Sequence, residues 1–411
     1  MRVTQSAHTR CWGVLLAFGL QLPTAAPPAP AAPPTAPPPV ARAAALPPIA
    51  HVWTRPLDDV SDIMLAASAN VLVTAGPSSA LSARSLQTGE PVWTHPRSDW
   101  DAITATADTV FGVSGGYAYA LDAGTGATRW VTQTTGVGTR LVATPGRVLL
   151  LSQTDLLLRD AATGTTIWHQ GLVAPPSAAA IGSDFVIVGL ETGTVVAVDL
   201  ATGEPRWTGT LDRAPESLVP YPPFTYAALP SGTLCWLRDR DGRRDPCFPL
   251  RVPIVGRPVV DQRGLYVALL DGSLRSLDRR SGVMRRTDSL GHRPGTGPWL
   301  IDKGLIVALT TGEVVLLDLD TGRVAARVAM PDARSTQLLE GAVMSPDGRV
   351  LVTLTIAPGG DRRLAAYRPS DPLLMPLRVV PAPRVTALPT GQATQPPTSA
   401  PSPAASGVPT P

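Results

Sequence analysis

One short hairpin is written into this chain again and again. Between Ala197 and Trp207 an apolar run ends at Asp199, turns at Thr202-Gly203 and resumes as a strand that finishes on Trp207. Glycine at the turn supplies the positive φ that a reversing chain needs. The short Asp199 carboxylate can accept hydrogen bonds from the turn backbone. Copies of the same plan carry turn glycines Gly89, Gly126, Gly164, Gly203, Gly242, Gly282 and Gly322, spaced 37, 38, 39, 39, 40 and 40 residues apart. So even a period means a repeat architecture, one supersecondary unit stacked many times.

Each period has room for four short strands and no helix. Between Trp168 and Trp207 these fall at 177–181, 184–190, 194–199 and 204–207, the first three separated by Gly182-Ser183 and Thr192-Gly193. Runs such as Phe185-Val-Ile-Val188 are continuously apolar, as strands buried on both faces are. Four-stranded units of this length specify propeller blades. The expected fold is therefore all-β, an eight-bladed β-propeller of four-stranded antiparallel blades. Third strands are expected near Leu81, Tyr117, Asp155, Thr194, Thr233, Ser273, Glu313 and Arg362, the eighth copy being degenerate.

The first tryptophan bears on ring closure. His51-Val-Trp-Thr-Arg-Pro56 resembles Pro91-Val-Trp-Thr-His-Pro96, an outer strand, yet no inner strands precede it. The last blade, conversely, lacks an outer strand of its own. The strand of Trp53 is expected to complete the eighth blade, which leaves no unpaired end blade. The competing candidate for that strand is 373–379.

Composition separates the ends from the middle. Proline is densest in an Ala/Pro segment at 27–50 and a Pro/Ser/Thr/Ala tail at 381–411, both expected to be extended and unfolded. Residues 1–26 show a basic start, a short apolar run from Cys11 to Leu22 and small residues at Thr24 to Ala26, the order of a secretory signal peptide or an N-terminal anchor. The propeller is expected over 51–380, exported to the periplasm, cell envelope or exterior. A formal net charge of +3 on 411 residues gives no nucleic-acid footprint, and the membrane is expected only through an uncleaved N-terminal segment.

Cys235 and Cys247 flank one repeat turn and are equidistant from Asp241 at its centre. They should face each other across adjacent antiparallel strands, where side chains come close enough for a structural disulfide. Other chemical motifs are weak. Gly112-Val-Ser-Gly-Gly116 matches the nucleophile-elbow pattern but lies between strands rather than ahead of a helix. Asp239, Asp241 and Asp245 lack the spacing of a calcium loop. His51, His95, His169 and His292 fall in different repeats without metal-ligand spacing. Residues opening the innermost strands, Asp101, Arg140, Arg257 and Trp299, are expected to ring one mouth of the central channel as a binding surface.

The motif Ala120-x-Asp122-x-x-Thr125-Gly126-x-x-x-Trp130 resembles, residue for residue, the repeat of pyrroloquinoline-quinone (PQQ) propellers, as does the stretch ending at Trp207. The resemblance implies that Trp53, Trp93, Trp130, Trp168 and Trp207 lock blades together, each against the small residue and turn of a neighbour. Gly89, Gly126, Gly164, Gly203, Asp122 and Asp199 would be the turn partners. In the fifth to seventh copies the tryptophan position holds Pro246, Arg286 and Ala326, so those blades must be locked differently. Proteins with this repeat include quinoprotein dehydrogenases, which hold PQQ and calcium over the axis, and non-enzymatic BamB-like propellers of the cell envelope. The dehydrogenases typically carry vicinal cysteines and long inserted loops, neither of which occurs here. The resemblance thus implies a non-enzymatic scaffold that binds envelope proteins and needs no cofactor. The runner-up is a PQQ- and calcium-dependent oxidoreductase, and a third option is a propeller binding a small ligand or saccharide.

Overall fold

The computed structural model describes residues 49–57, 63–76, 79–134, 140–302, 304–329 and 338–369, all within the unit Leu46–Pro411. The expected signal segment, the tail, Cys11 and the candidate strand at 373–379 lie outside the described residues. The described chain forms eight four-stranded antiparallel sheets. Blades 1 to 7 span 64–95, 100–133, 140–171, 176–210, 217–249, 254–289 and 294–328. Blade 8 takes three strands from 338–369 and its fourth from Ile49–Leu57. Within each blade the strands pair in chain order. First strands pack beside the first strands of both neighbouring blades, and this inner ring closes from blade 8 to blade 1.

The outer strand of blade 8 is the one carrying Trp53. It pairs along the third strand of that blade, Arg362–Pro369, with Trp53 opposite Ala366 and Leu57 opposite Arg362. Third strands begin at Tyr117, Asp155, Thr194, Thr233, Ser273 and Arg362 as the turn signals imply, with blades 1 and 7 shifted to Ser79 and Val314.

Second strands are the driest elements. Val71–Gly76, Thr109–Ser114, Phe185–Leu190 and Gly304–Leu309 are buried at every residue, which accounts for their unbroken apolar sequence. The core is divided among the blade interfaces. One cluster joins Leu149, Leu158 and Trp168 of blade 3 to Val186 and Val188 of blade 4, and the next joins Ile187, Ala197 and Trp207 to Ala227 and Leu237 of blade 5. Equivalent clusters occupy the remaining interfaces round the ring. A single blade buries little by itself, so stability comes from stacking and from ring closure.

Candidate functional site at the channel

The repeat motif builds the joints between blades. Asp199 Oδ1 accepts hydrogen bonds from the backbone N–H groups of Ala201 (2.9 Å) and Thr202 (3.0 Å), fixing the turn. Asp122 does the same with Gly124 (3.1 Å) and Thr125 (2.9 Å). Just before the tryptophan position the fourth strand bulges by one residue, in every blade except the fifth. In blades 2, 4 and 6 the bulged residue is an arginine, and the bulge turns its side chain back onto the turn aspartate. Arg129 reaches Asp122 (2.8 Å), Arg206 reaches Asp199 (2.7 Å), and Arg285 pairs with Asp278. These arginines and the turn N–H groups hold the carboxylates below the usual range, Asp199 at about 2.

Each joint ends at the same carbonyl of the next blade, the one that follows the turn-aspartate position. Trp53 donates its indole N–H to Leu86 O (2.9 Å), Trp93 to Ala123 O (2.9 Å), Trp130 to Ala161 O (3.0 Å), Trp168 to Leu200 O (3.0 Å) and Trp207 to Asp239 O (2.7 Å). The ring lies flat on the neighbour's turn glycine. A Cβ on Gly89 would stand 2.8 Å from Trp53, and one on Gly126 or Gly164 would stand 2.6 Å from Trp93 or Trp130. Gly203, at φ 75°, would place one 2.7 Å from Trp168. Glycine is required here twice over, for the positive φ and for the close approach.

Blade 5 divides the joint between two residues. Pro246 stands where the tryptophan would be, and Trp236 occupies the facing position on the third strand, held by Ala197 in blade 4. Trp236 still donates to the equivalent carbonyl, Arg279 O (2.8 Å), which also accepts from the Tyr226 hydroxyl (2.8 Å). Phe248 covers Gly282 in place of the missing indole and packs edge-on against Trp236, ring centroids 4.8 Å apart. The fourth strand of this blade is only Phe248–Pro249. Cys235 and Cys247 are disulfide-bonded beside it with Cα atoms 4.2 Å apart, continuing the register in which Leu234 faces Phe248. The bond ties down a strand too short to hold by its ladder alone.

Blade 6 uses an ion in the tryptophan position. Arg286 donates to Leu319 O and Asp320 O (both 3.1 Å), lies over Gly322, and pairs with the buried Asp288 carboxylate (2.7 Å). Between blades 7 and 8 the third strand of blade 8 ends at Pro369, since its outer strand arrives from residues 49–57, so there is no hairpin turn for Ala326 to cover. Ala326 packs instead beside Ile49 and Tyr367.

The motif residues are therefore occupied by the architecture, and so are the weaker candidates. Ser114 lies in a strand-turn-strand and accepts from Arg97 (3.2 Å) while donating to Ser98 O (3.2 Å). Asp241 caps Arg243 N (3.0 Å), Asp245 pairs with Arg238 (2.7 Å), and Asp239 is half-buried, accepts from the Thr225 hydroxyl (2.9 Å) and has its carboxyl pushed up by desolvation. Among the described residues no three His, Cys, Asp or Glu side chains gather to hold a metal ion, and no helix is long and apolar enough to cross a membrane. The described disulfide joins two antiparallel strands rather than vicinal cysteines.

What remains is the channel wall. Asp101 and Arg140 lie at the start of the first strands of blades 2 and 3 and are exposed; Arg140 donates to Ser177 O of blade 4 (3.0 Å). Trp299 is not with them. The first strand of blade 7 opens at Pro294, and Trp299 sits opposite Ile306 toward its far end, half-buried in the cluster between blades 7 and 8. Arg257 lies three residues inside its strand, which opens at Ile254, on a bulge between the pairs Val255–Ala268 and Val259–Tyr266. Its side chain is exposed to the channel, and desolvation by the surrounding wall lowers the pKa of its guanidinium. It donates to Leu218 O of blade 5 (2.8 Å).

Residues 77–220 match the family described as outer membrane protein assembly factor BamB. The chain is an eight-bladed propeller in which that stretch is similar to PQQ-type repeats. It shares its fold with BamB from Moraxella catarrhalis, at 19% identity and a TM-score of 0.57, over 78% of this chain and 97% of that one. The computationally designed Ika8 protein is similar at 15% identity and a TM-score of 0.60, over 75% of this chain and 98% of that one. No curated protein matches the sequence.

Proposed function

We propose that this PQQ-type propeller is a non-enzymatic scaffold that binds other proteins in the cell envelope after export. The observation that carries this reading is the shared fold with an outer-membrane assembly factor; the repeat residues bond or pack on a neighbouring blade or their own turn, a structural role common to both kinds of propeller. The likeness to an outer-membrane assembly factor supports a partner of protein class. The Cys235–Cys247 bond supports an oxidising compartment, in keeping with the signal-like start of the sequence. Outer strands offer places for such a partner. Val131 and Val283 are 51% and 61% exposed at the rims of blades 2 and 6. Photo-crosslinking from these two positions in the full-length chain, in cells, is expected to trap one or a few envelope proteins reproducibly. Failure to trap any, together with calcium-dependent PQQ binding and dye reduction on an alcohol or sugar, would overturn the scaffold reading in favour of a quinoprotein.

A further inference from the structure

Where the first strands of blades 4, 5 and 6 meet, the channel wall opens into a cavity of about 470 Å³, within the size range of small-molecule sites. Its apolar lining comes from Ala178, Ala179, Leu218 and Ile254, and its charged lining from Arg257 and Glu216. These two are not paired with each other, and among the described residues no carboxylate pairs with Arg257. Both are anchored to blade 5 backbone. Arg257 is tied through Nη2 to Leu218 O (2.8 Å), and the Glu216 backbone N–H donates to Ala228 O (2.8 Å).

The bulge that presents Arg257 is built for that purpose by neighbouring backbone. Gly256 has a φ of 69° and its α-carbon faces the carbonyl of Gly297, at φ 99°, in the corresponding bulge of blade 7. No side chain larger than hydrogen fits between them, so the two inner strands touch backbone to backbone and the side chain of Arg257 is directed away from that contact. Bulges of this kind re-aim a side chain at the cost of ladder pairing. A guanidinium with one carbonyl partner has N–H donors to spare for a ligand oxygen.

We propose that this cavity binds a small zwitterion with a compact apolar body, of the size and chemistry of an aliphatic α-amino acid. Arg257 takes the carboxylate, Glu216 the ammonium group, and the alanine, leucine and isoleucine walls the hydrocarbon. Both side chains line the same cavity and no ion pair joins them, so a ligand carrying both signs can engage both. A dianion such as phosphate is disfavoured by Glu216, and a purely apolar molecule leaves the guanidinium uncompensated.

The test uses full-length protein and calorimetric titration with L-leucine, 4-methylpentanoate, 3-methylbutylamine and inorganic phosphate. Leucine is expected to saturate one site, and each single-charge analogue to bind about tenfold more weakly or worse, the scale of one lost charged hydrogen bond. Arg257→Met should abolish binding of leucine and 4-methylpentanoate, whereas Glu216→Gln should reduce leucine to the affinity of 4-methylpentanoate. Because Arg257→Met also removes a tie between blades 5 and 6, Ala178→Leu serves as the second variant: it fills the cavity, keeps both charges and should abolish binding without lowering the melting temperature. No saturable binding of leucine, binding of the amine or the acid as tight as that of leucine, preferential binding of phosphate, or unchanged affinity in Ala178→Leu would each overturn the proposal. None of these results bears on the crosslinking outcome, so the two readings stand or fall separately.

Discussion

Replacing Trp53 with alanine strikes the ring where it is closed by a strand from the far end of the chain. Trp53 is 6% exposed, donates to Leu86 O and covers Gly89, which belongs to blade 1, while its own strand completes blade 8. Truncating a buried tryptophan to alanine costs about 3–5 kcal/mol. At about 2 °C per kcal/mol for a chain of this size, the melting temperature should fall by about 6–10 °C. The diagnostic arm is Gly89→Ala. In the wild type it must both force a β-carbon to 2.8 Å from the indole and hold φ at 72°, whereas in the Trp53→Ala background the indole clash is gone and there remain the backbone penalty of about 1–2 kcal/mol and a contact with the flexible Arg55 side chain, common to both backgrounds. The double variant should therefore be less destabilised than the sum of the singles, with a coupling above about 1 kcal/mol in denaturant titrations followed by tryptophan fluorescence and circular dichroism. Additivity within about 0.5 kcal/mol would show that residues 53 and 89 do not meet, and the closure would be wrong.

Four further outcomes follow from the other joints. Thiol counting on denatured, unreduced full-length protein should find one reactive cysteine of the three, and reduction should destabilise by about 3 kcal/mol, the loop-entropy scale for a closed loop this short. Arg286→Ala should cost about 3 kcal/mol by stranding the buried Asp288 carboxylate, and Arg286→Met should recover little of it, since the loss is charge rather than bulk. The turn carboxylates titrate below their unfolded values, so their contribution is complete above about pH 4 and is lost as pH falls toward 2; thermal melts should decline over that window, less steeply in Asp199→Asn. Asp239 has the opposite sign, because burial raises its pKa and charging it opposes folding as pH rises past the unfolded value; Asp239→Asn should therefore gain stability relative to wild type at pH 7 and lose that advantage near pH 3.

Blade number, strand order and ring closure were legible because they are enforced by residues with few substitutes. A turn at positive φ beneath an indole accepts glycine alone, and glycine repeated at an even spacing marks every hairpin that makes such a turn. The cysteine pair was legible for a similar reason, since antiparallel register makes residues equidistant from a turn face one another. The joint of blade 5 was not. Trp236 had moved to a strand position that holds Ala83, Ala120, Ala197 or Ala366 in four other blades, and a tryptophan at a small-residue site was the available signal. The channel residues were read with the wrong phase in blades 6 and 7, where the bulges at Gly256 and Gly297 place extra residues in the first strands. That shift moved Trp299 out of the mouth and Arg257 into the wall. Inner strands carry no repeated motif, so a bulge there leaves no periodic trace in the sequence.

The most direct test of whether the quinone-type repeat serves here as architecture alone is titration of the full-length protein with PQQ in the presence of calcium, with an electron-accepting dye and a panel of alcohols and sugars. Absence of stoichiometric, calcium-dependent PQQ binding and of substrate-driven dye reduction is predicted. Tight binding that requires calcium, accompanied by turnover of the dye, would contradict it.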